Sequence, residues 1–247
     1  MGIKFEVDEN FFKKWSPKMS YLLGYLFADG SLENAVYLRG KYLRVSSIDE
    51  RTILKIKKWL NSKHTVIHKT FPNTNRQDIF LLRIGSHLIY NDLLELGLFP
   101  NKSLNMRFPK IPKKYLNHFV LGYFDGDGCV QISRALNKKN KKILKGLRVT
   151  FTCGSSHFLN ELARELRDVL GIKKIKIYNG HRSFILVYPT SDSVKLFKLL
   201  YNNRDSKDLH LKRKFDIFCK YFAERPTRRD GVVNRIIYNF NLGRVAK

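Results

Sequence analysis

Residues 21–32 read YLLGYLFADGSL, and residues 119–130 read FVLGYFDGDGCV. At an offset of 98, Leu23-Gly24-Tyr25 meets Leu121-Gly122-Tyr123 and Asp29-Gly30 meets Asp127-Gly128. Self-similarity at this scale decides whether a chain is one unit or two copies of one, so it is settled first. Further along, the offset grows to 106. Val45-Ser46 then pairs with Phe151-Thr152, and Ile53, Ile56 and Leu60 pair with Leu159, Leu162 and Leu166. Arg76 meets Arg182, and Leu93-Leu94 meets Leu199-Leu200. An insertion in the second copy, within the lysine-rich stretch 136–145, accounts for the change. The chain thus reads as a first repeat over 1–98, a joining segment over 99–111, a second repeat over 112–224 and a basic extension over 225–247.

Each repeat reads as helix, strand, strand, helix, strand, strand, helix. The pattern predicts an α+β fold of two pseudo-symmetric αββαββα halves. Alternation is cleanest at 147–153, where Leu147, Val149, Phe151 and Cys153 face one way and Arg148, Thr150 and Thr152 the other. The matching strand sets Leu43 and Val45 against Tyr42, Arg44 and Ser46. Such strands have one buried face and one polar, basic face. Helices over 49–61 and 155–170 carry apolar residues at helical spacing and start at the N-caps Asp49 and Ser155. Stretch 136–145 reads as a flexible arm, and His64 and His68 fall in an expected strand.

The repeated motif has chemical content. Gly24 and Ala28, like Gly122 and Gly126, stand four apart on one helix face and let a partner helix come close. Each motif helix ends in an acid followed by glycine, and glycine suits a left-handed cap. An aspartate there opposes the negative end of the helix dipole. Two such ends, brought side by side by packing, gather carboxylates and orphan carbonyls and call for a cation. Hard oxygen donors with open positions suit Mg²⁺, which takes one or two carboxylates plus a phosphate. That is equipment for phosphodiester hydrolysis.

Composition agrees. The 247 residues hold 47 Lys and Arg against 21 Asp and Glu, a formal net charge of +26. This excess repels itself in a compact fold, and nucleic acid is the leading partner for it. Hydrophobic residues at 43% exclude wholesale disorder. No apolar run suits a membrane span, and the first ten residues do not read as a signal or transit peptide. Three scattered cysteines, Cys129, Cys153 and Cys219, fit a reducing intracellular setting: cytoplasm, nucleoid or organelle matrix. The seven histidines show no metal-ligand spacing with the cysteines.

With its nonamers LLGYLFADG (22–30) and VLGYFDGDG (120–128), the chain resembles the single-chain, two-repeat LAGLIDADG homing endonucleases over roughly residues 17–222. The resemblance implies a saddle of antiparallel sheets on duplex DNA with the motif helices at its centre. It implies cleavage of both strands across the minor groove of a long asymmetric target, leaving short 3′ overhangs, by a monomer. It makes Asp29 and Asp127 the ligands of two or three Mg²⁺ ions, with Ala28 and Gly126 as backbone ligands. Mn²⁺ would substitute, and Ca²⁺ would support binding only. The earlier motif acid is Phe27 in the first copy and Asp125 in the second, so the halves are unequal. The family also places a basic residue near each active site. Here it is Lys102 in the first half and Lys212 or Lys214 in the second. Ser47 and Cys153 align with positions that order water.

Base reading would fall to the sheet faces in the major groove, through Arg39, Tyr42, Arg44, Arg76, Arg83, Arg148, Thr150, Lys174, Lys176 and Arg182. Lys138, Lys139, Lys141 and Lys142 would form the arm. Each half covers roughly ten base pairs. The competing function is an RNA maturase, with the chain's own intron RNA as partner, or a non-cutting DNA-binding protein on the same fold. A membrane partner is not expected.

Overall fold

The computed structural model describes residues 5–36, 40–172, 175–202 and 209–241, so Arg39 and Lys174 lie outside the described residues. The chain divides into two compact units, Met1–Gly126 and Asp127–Lys247. The first runs α1 (Pro17–Asp29), β1 (Gly30–Ala35), β2 (Gly40–Ser47), α2 (Glu50–Trp59), β3 (Val66–Lys69), β4 (Ile79–Gly85) and α3 (His87–Glu95). It also holds α4 (Leu116–Asp127) as far as Gly126. The second runs β5 (Gly128–Leu136), β6 (Lys142–Cys153), α5 (Ser156–Leu170), β7 (Lys176–Gly180), β8 (Ser183–Tyr188), α6 (Thr190–Tyr201), α7 (Lys212–Glu224) and α8 (Gly231–Asn241). Each unit holds one antiparallel sheet, ordered β1-β2-β4-β3 and β5-β6-β8-β7. The expected αββαββα order is present twice.

Helix starts follow the capping residues. Ser16, Asp49, Ser86 and Ser155 accept the backbone N–H of Met19, Arg51, Ile89 and Phe158, answering donors that a helix start leaves unpaired. On α2, Ile53 and Ile56 are fully buried; on α5, so are Phe158, Leu159, Leu162 and Leu166. These residues contact the strands beneath them, α2 on β2 and β4, α5 on β6 and β8. Burying each such side chain is worth roughly 1.5–3 kcal/mol. The apolar face of β6 lies inward, with Leu147, Val149, Phe151 and Cys153 all buried, and Arg148 and Thr152 are exposed.

Within the first unit, α1 and the residues of α4 up to Gly126 meet backbone to backbone. A Cβ added at Gly24 would fall 2.0 Å from the Phe119 carbonyl oxygen, and one at Gly122 would fall 1.9 Å from that of Tyr21. No side chain fits at either place. Ala28 and Gly126 repeat the arrangement one turn on, where a Cβ on Gly126 would stand 2.2 Å from that of Ala28. Phe27 takes the place of the earlier motif acid by packing edge-on against Phe119, ring centroids 5.5 Å apart. Asp125 keeps that acid, is buried and accepts the Tyr21 hydroxyl at 2.7 Å.

Three readings are corrected. Stretch 136–145 is not a free arm: β5 reaches Leu136 and β6 begins at Lys142. Asn137 builds the intervening turn, its side chain accepting from the N–H of Lys139 and of Lys141 at 2.9 Å. Lysines are weak strand formers, but an asparagine turn and cross-strand pairing override that preference. His64 precedes β3 rather than lying in it. The glycine after each acid is not a left-handed cap. Gly30 is extended at φ −90°, and neither Gly30 nor Gly128 has positive φ. Gly30 is there for space, since a Cβ would sit 2.7 Å from the Leu26 carbonyl oxygen. The extension past residue 225 adds α8, which packs on α6 with Val233 and Ile236 buried; Phe240 stacks on Phe215 at 4.7 Å.

Candidate functional site

Each unit carries its own version of one arrangement. In the first, α1 delivers Asp29 to an exposed position at its end, and the Gly30 carbonyl follows. Lys102, in a short 3-10 turn beyond α3, is 7% exposed and donates from Nζ to that carbonyl at 2.7 Å. Asp29 Oδ2 lies 3.2 Å from the point a Cβ would occupy on Gly126, so a side chain there would crowd the carboxylate. Tyr25, on the same helix, is buried and engages Asp29 and Ser47 through its hydroxyl. Burial first, then the Asp29 carboxylate, pushes the phenol above its usual pKa, so it stays protonated and donating.

In the second unit, Asp127 is half-buried and Gly128 opens β5. Lys214 on α7 is 3% exposed and donates to the Gly128 carbonyl. Lys212 instead points outward and pairs with Asp216 one turn along. Of the two lysines left open above, Lys214 is the one that reaches the motif carbonyl. Helix phase carries the signal: Leu211, Lys214, Phe215, Phe218 and Phe222 share a buried face, whereas Lys212 does not.

A buried ammonium held on a backbone carbonyl beside an acid keeps a positive charge where an oxyanion could be met. The oxygen donors at each helix end, a carboxylate and backbone carbonyls, are of the kind that Mg²⁺ accepts. Among the described residues no three His, Cys, Asp or Glu side chains gather to enclose a metal, so water or phosphate would have to complete any such shell.

The base-reading candidates spread along the sheets. Tyr42 and Arg44 on β2 and Arg83 on β4 share the exposed face of the first sheet, while Arg76 lies in the β3–β4 loop. Arg148 and Thr150 on β6 and Lys176 on β7 share the exposed face of the second. Arg182 forms the β7–β8 turn at φ 53°. Lys138, Lys139 and Lys141 stand exposed at the tip of the β5–β6 hairpin, and Lys142 opens β6. Among the described residues no helix is long and apolar enough to cross a membrane.

Residues 120–222 match the model of the LAGLIDADG endonuclease family. The fold is that of the I-LtrWI LAGLIDADG homing endonuclease bound to target DNA, with a TM-score of 0.57 at 13% identity over 94% of this chain and 97% of that one. Two curated proteins of Methanocaldococcus jannaschii are similar at 27% identity. Reverse gyrase matches over 202 residues, 81% of this chain and 10% of that protein. The probable translation initiation factor IF-2 matches over 138 residues, 52% of this chain and 11% of that protein. The chain therefore spans about a tenth of the length of the curated relatives it matches. The resemblance carried by the doubled motif is borne out.

Proposed function

With a LAGLIDADG endonuclease repeat over residues 120–222 and the fold of a homing endonuclease, we propose that this chain is a site-specific double-strand DNA endonuclease. The observation that carries this reading is the twofold occurrence of one chemical arrangement: an accessible acid, the next residue's carbonyl, and a buried lysine held on that carbonyl.

In this reading Asp29 serves one strand and Asp127 the other. Bound divalent ions would supply charge to the phosphoryl oxygen and lower the pKa of a water. Asp29 and Asp127 would hold them, together with the backbone at Ala28 and Gly126. Lys102 and Lys214 stabilise the negative charge that develops at phosphorus and orient the water. The glycines at the helix contact keep the backbones of α1 and α4 close, and Tyr25 holds the Asp29 carboxylate in place. The basic sheet faces grip the duplex as a monomer, and the target is asymmetric because the faces differ.

The relatives support a mobile origin. Matching segments of 202 and 138 residues form about a tenth of two proteins with unrelated names in one organism. That is expected of a self-contained unit that enters genes in frame and homes by cutting vacant alleles.

The test is cleavage selection from a randomised duplex library, with sequencing of the cut ends, in Mg²⁺ and in chelator. One long asymmetric site with short 3′ overhangs is expected, cut only with metal. Enrichment of no site would leave a non-cutting binder or an RNA maturase, and cutting in chelator would remove the metal role.

A further inference from the structure

The exposed face of the first unit's sheet carries a built group of side chains around one carboxylate. Glu33 on β1 stands in register with Tyr42, and Arg44 on β2 stands in register with Arg83 on β4. Two arginines directly opposite one another repel. Glu33 resolves this by accepting from Arg83 twice, Nε at 3.2 Å and Nη2 at 3.1 Å, with Arg44 Nη1 4.0 Å away. The Arg83 guanidinium lies over the Tyr42 ring, 3.5 Å from its centroid. The ring in turn lies against two glycines. A Cβ on Gly40 would meet its hydroxyl at 2.4 Å, and one on Gly85 would meet its edge at 3.1 Å. Neither glycine has positive φ, so what they provide is room for the ring.

We infer that Arg83, held by Glu33 and Tyr42, reads a guanine in the half-site that faces the first unit, and that Glu33 is the positioning residue for this contact. The inference rests on the duplex-DNA reading above. A guanidinium has two donor edges that can each engage two acceptors. Glu33 takes the Nε–Nη2 edge, which leaves the Nη1–Nη2 edge for a second two-point partner. O6 and N7 of guanine form that partner in the major groove. Stacking and the ion pair fix the side chain before DNA arrives, so less freedom is lost on binding. A phosphate contact would gain nothing from this, because a neighbouring carboxylate weakens the pull on any phosphate. An acid on the edge strand of this face, in a chain of net charge +26, therefore serves discrimination at the cost of general affinity.

Strand register shows that the second unit lacks this device. Gly30 pairs with Val45 as Gly128 pairs with Phe151, and Val45 pairs with Leu82 as Phe151 pairs with Leu186. Counting from these pairs, Glu33, Tyr42, Arg44 and Arg83 correspond to Gln131, Arg148, Thr150 and Val187. This carboxylate-held arginine thus belongs to one half-site alone.

The experiment is selection of bound duplexes from a randomised library in Ca²⁺, with the full chain as wild type, Glu33→Gln and Arg83→Lys. The wild type should enrich a site with a fixed guanine in one half. Arg83→Lys, which keeps a cation but cannot hold Glu33 and a two-point partner at once, should lower discrimination at that base alone by about 5-fold or more. Glu33→Gln should lower it at the same base, while binding to unrelated duplex stays equal or tightens. Enrichment at the remaining positions of the site shows that both variants are folded. If Arg83→Lys weakens every sequence equally, Arg83 is a phosphate contact and the inference fails. If Glu33→Gln leaves the guanine preference intact, the positioning role fails. A wild type that enriches no site overturns the endonuclease reading itself, whereas a site unchanged in both variants overturns only this inference.

Discussion

Lys214 donates a hydrogen bond from its buried ammonium to the carbonyl oxygen of Gly128, as Lys102 does to that of Gly30 in the other unit. The two lysines come from different elements, a long helix in one unit and a 3-10 turn in the other. Their partners nonetheless occupy the same place in the repeated motif. Replacing Lys214 by Met keeps length and burial and removes charge. Cutting should fall on the order of 10²–10³-fold, the usual loss for one charge-stabilising donor. Stability should fall modestly, by about 1–3 kcal/mol, because the buried Gly128 carbonyl loses its donor. Lys212→Met, which breaks only an exposed pair with Asp216, should cut normally. Rate measurements and thermal melts on both variants check this; equal losses would return the choice between the two lysines to open.

Asp29→Asn and Asp127→Asn should each abolish cutting or confine it to one strand, with DNA binding largely retained. Supercoiled plasmid bearing the selected site gives the readout, because a nicked circle and a linear product separate on a gel. A variant that still linearises plasmid at the wild-type rate would take that aspartate out of the mechanism.

Gly122→Ala should destabilise the first unit. Its new methyl would fall 1.9 Å from the Tyr21 carbonyl oxygen, so α1 and α4 would have to separate. Overpacking of this kind costs on the order of 1–3 kcal/mol or more, and at this chain length about 2–4 °C in Tm per kcal/mol. Gly171→Ala would meet nothing within 4 Å but sits at φ 60°, so its cost is backbone strain rather than a clash. Differential scanning calorimetry on both separates the two causes, since only Gly122→Ala should also impair cutting.

His64 supplies a pH dependence. Its ring is buried, with Nδ1 3.0 Å from the Ser62 hydroxyl and Nε2 accepting the Gly85 N–H at 3.2 Å. Burial, helped by the Lys57 cation, holds its pKa below the ordinary histidine value. The unfolded chain therefore binds this proton more readily than the folded one. Stability is fully present above the unfolded pKa of about 6.5 and declines as pH falls below it. Tm measured from about pH 8 down to about pH 5 should drop, and His64→Gln should flatten part of that drop. An unchanged slope in the variant would assign the pH dependence to other groups.

Salt gives a last check. Binding should weaken steeply as salt rises, with log K falling linearly in log salt, because each neutralised phosphate releases counterions. Glu33→Gln should leave that slope nearly as it is, whereas removing a lysine at the hairpin tip, such as Lys139, should reduce it by about one. A flat response in the wild type would contradict the phosphate-contact argument.

By itself, the sequence determined whatever repeats or alternates along the chain. The doubled motif, both αββαββα orders, the helix caps and the inward faces of β2 and β6 were legible because periodicity and capping are local properties. Tertiary structure decided what depends on partners far apart in sequence. Arg83 finds Glu33 fifty residues away, and Lys214 finds Gly128 eighty-six residues away, only once sheet register and helix docking are set. Composition counted Glu33 as one acid among many, because a carboxylate's role is fixed by the cations that the fold brings to it. The same holds for Gly40 and Gly85, whose bare Cα atoms have meaning only when a tyrosine ring from the neighbouring positions lies across them.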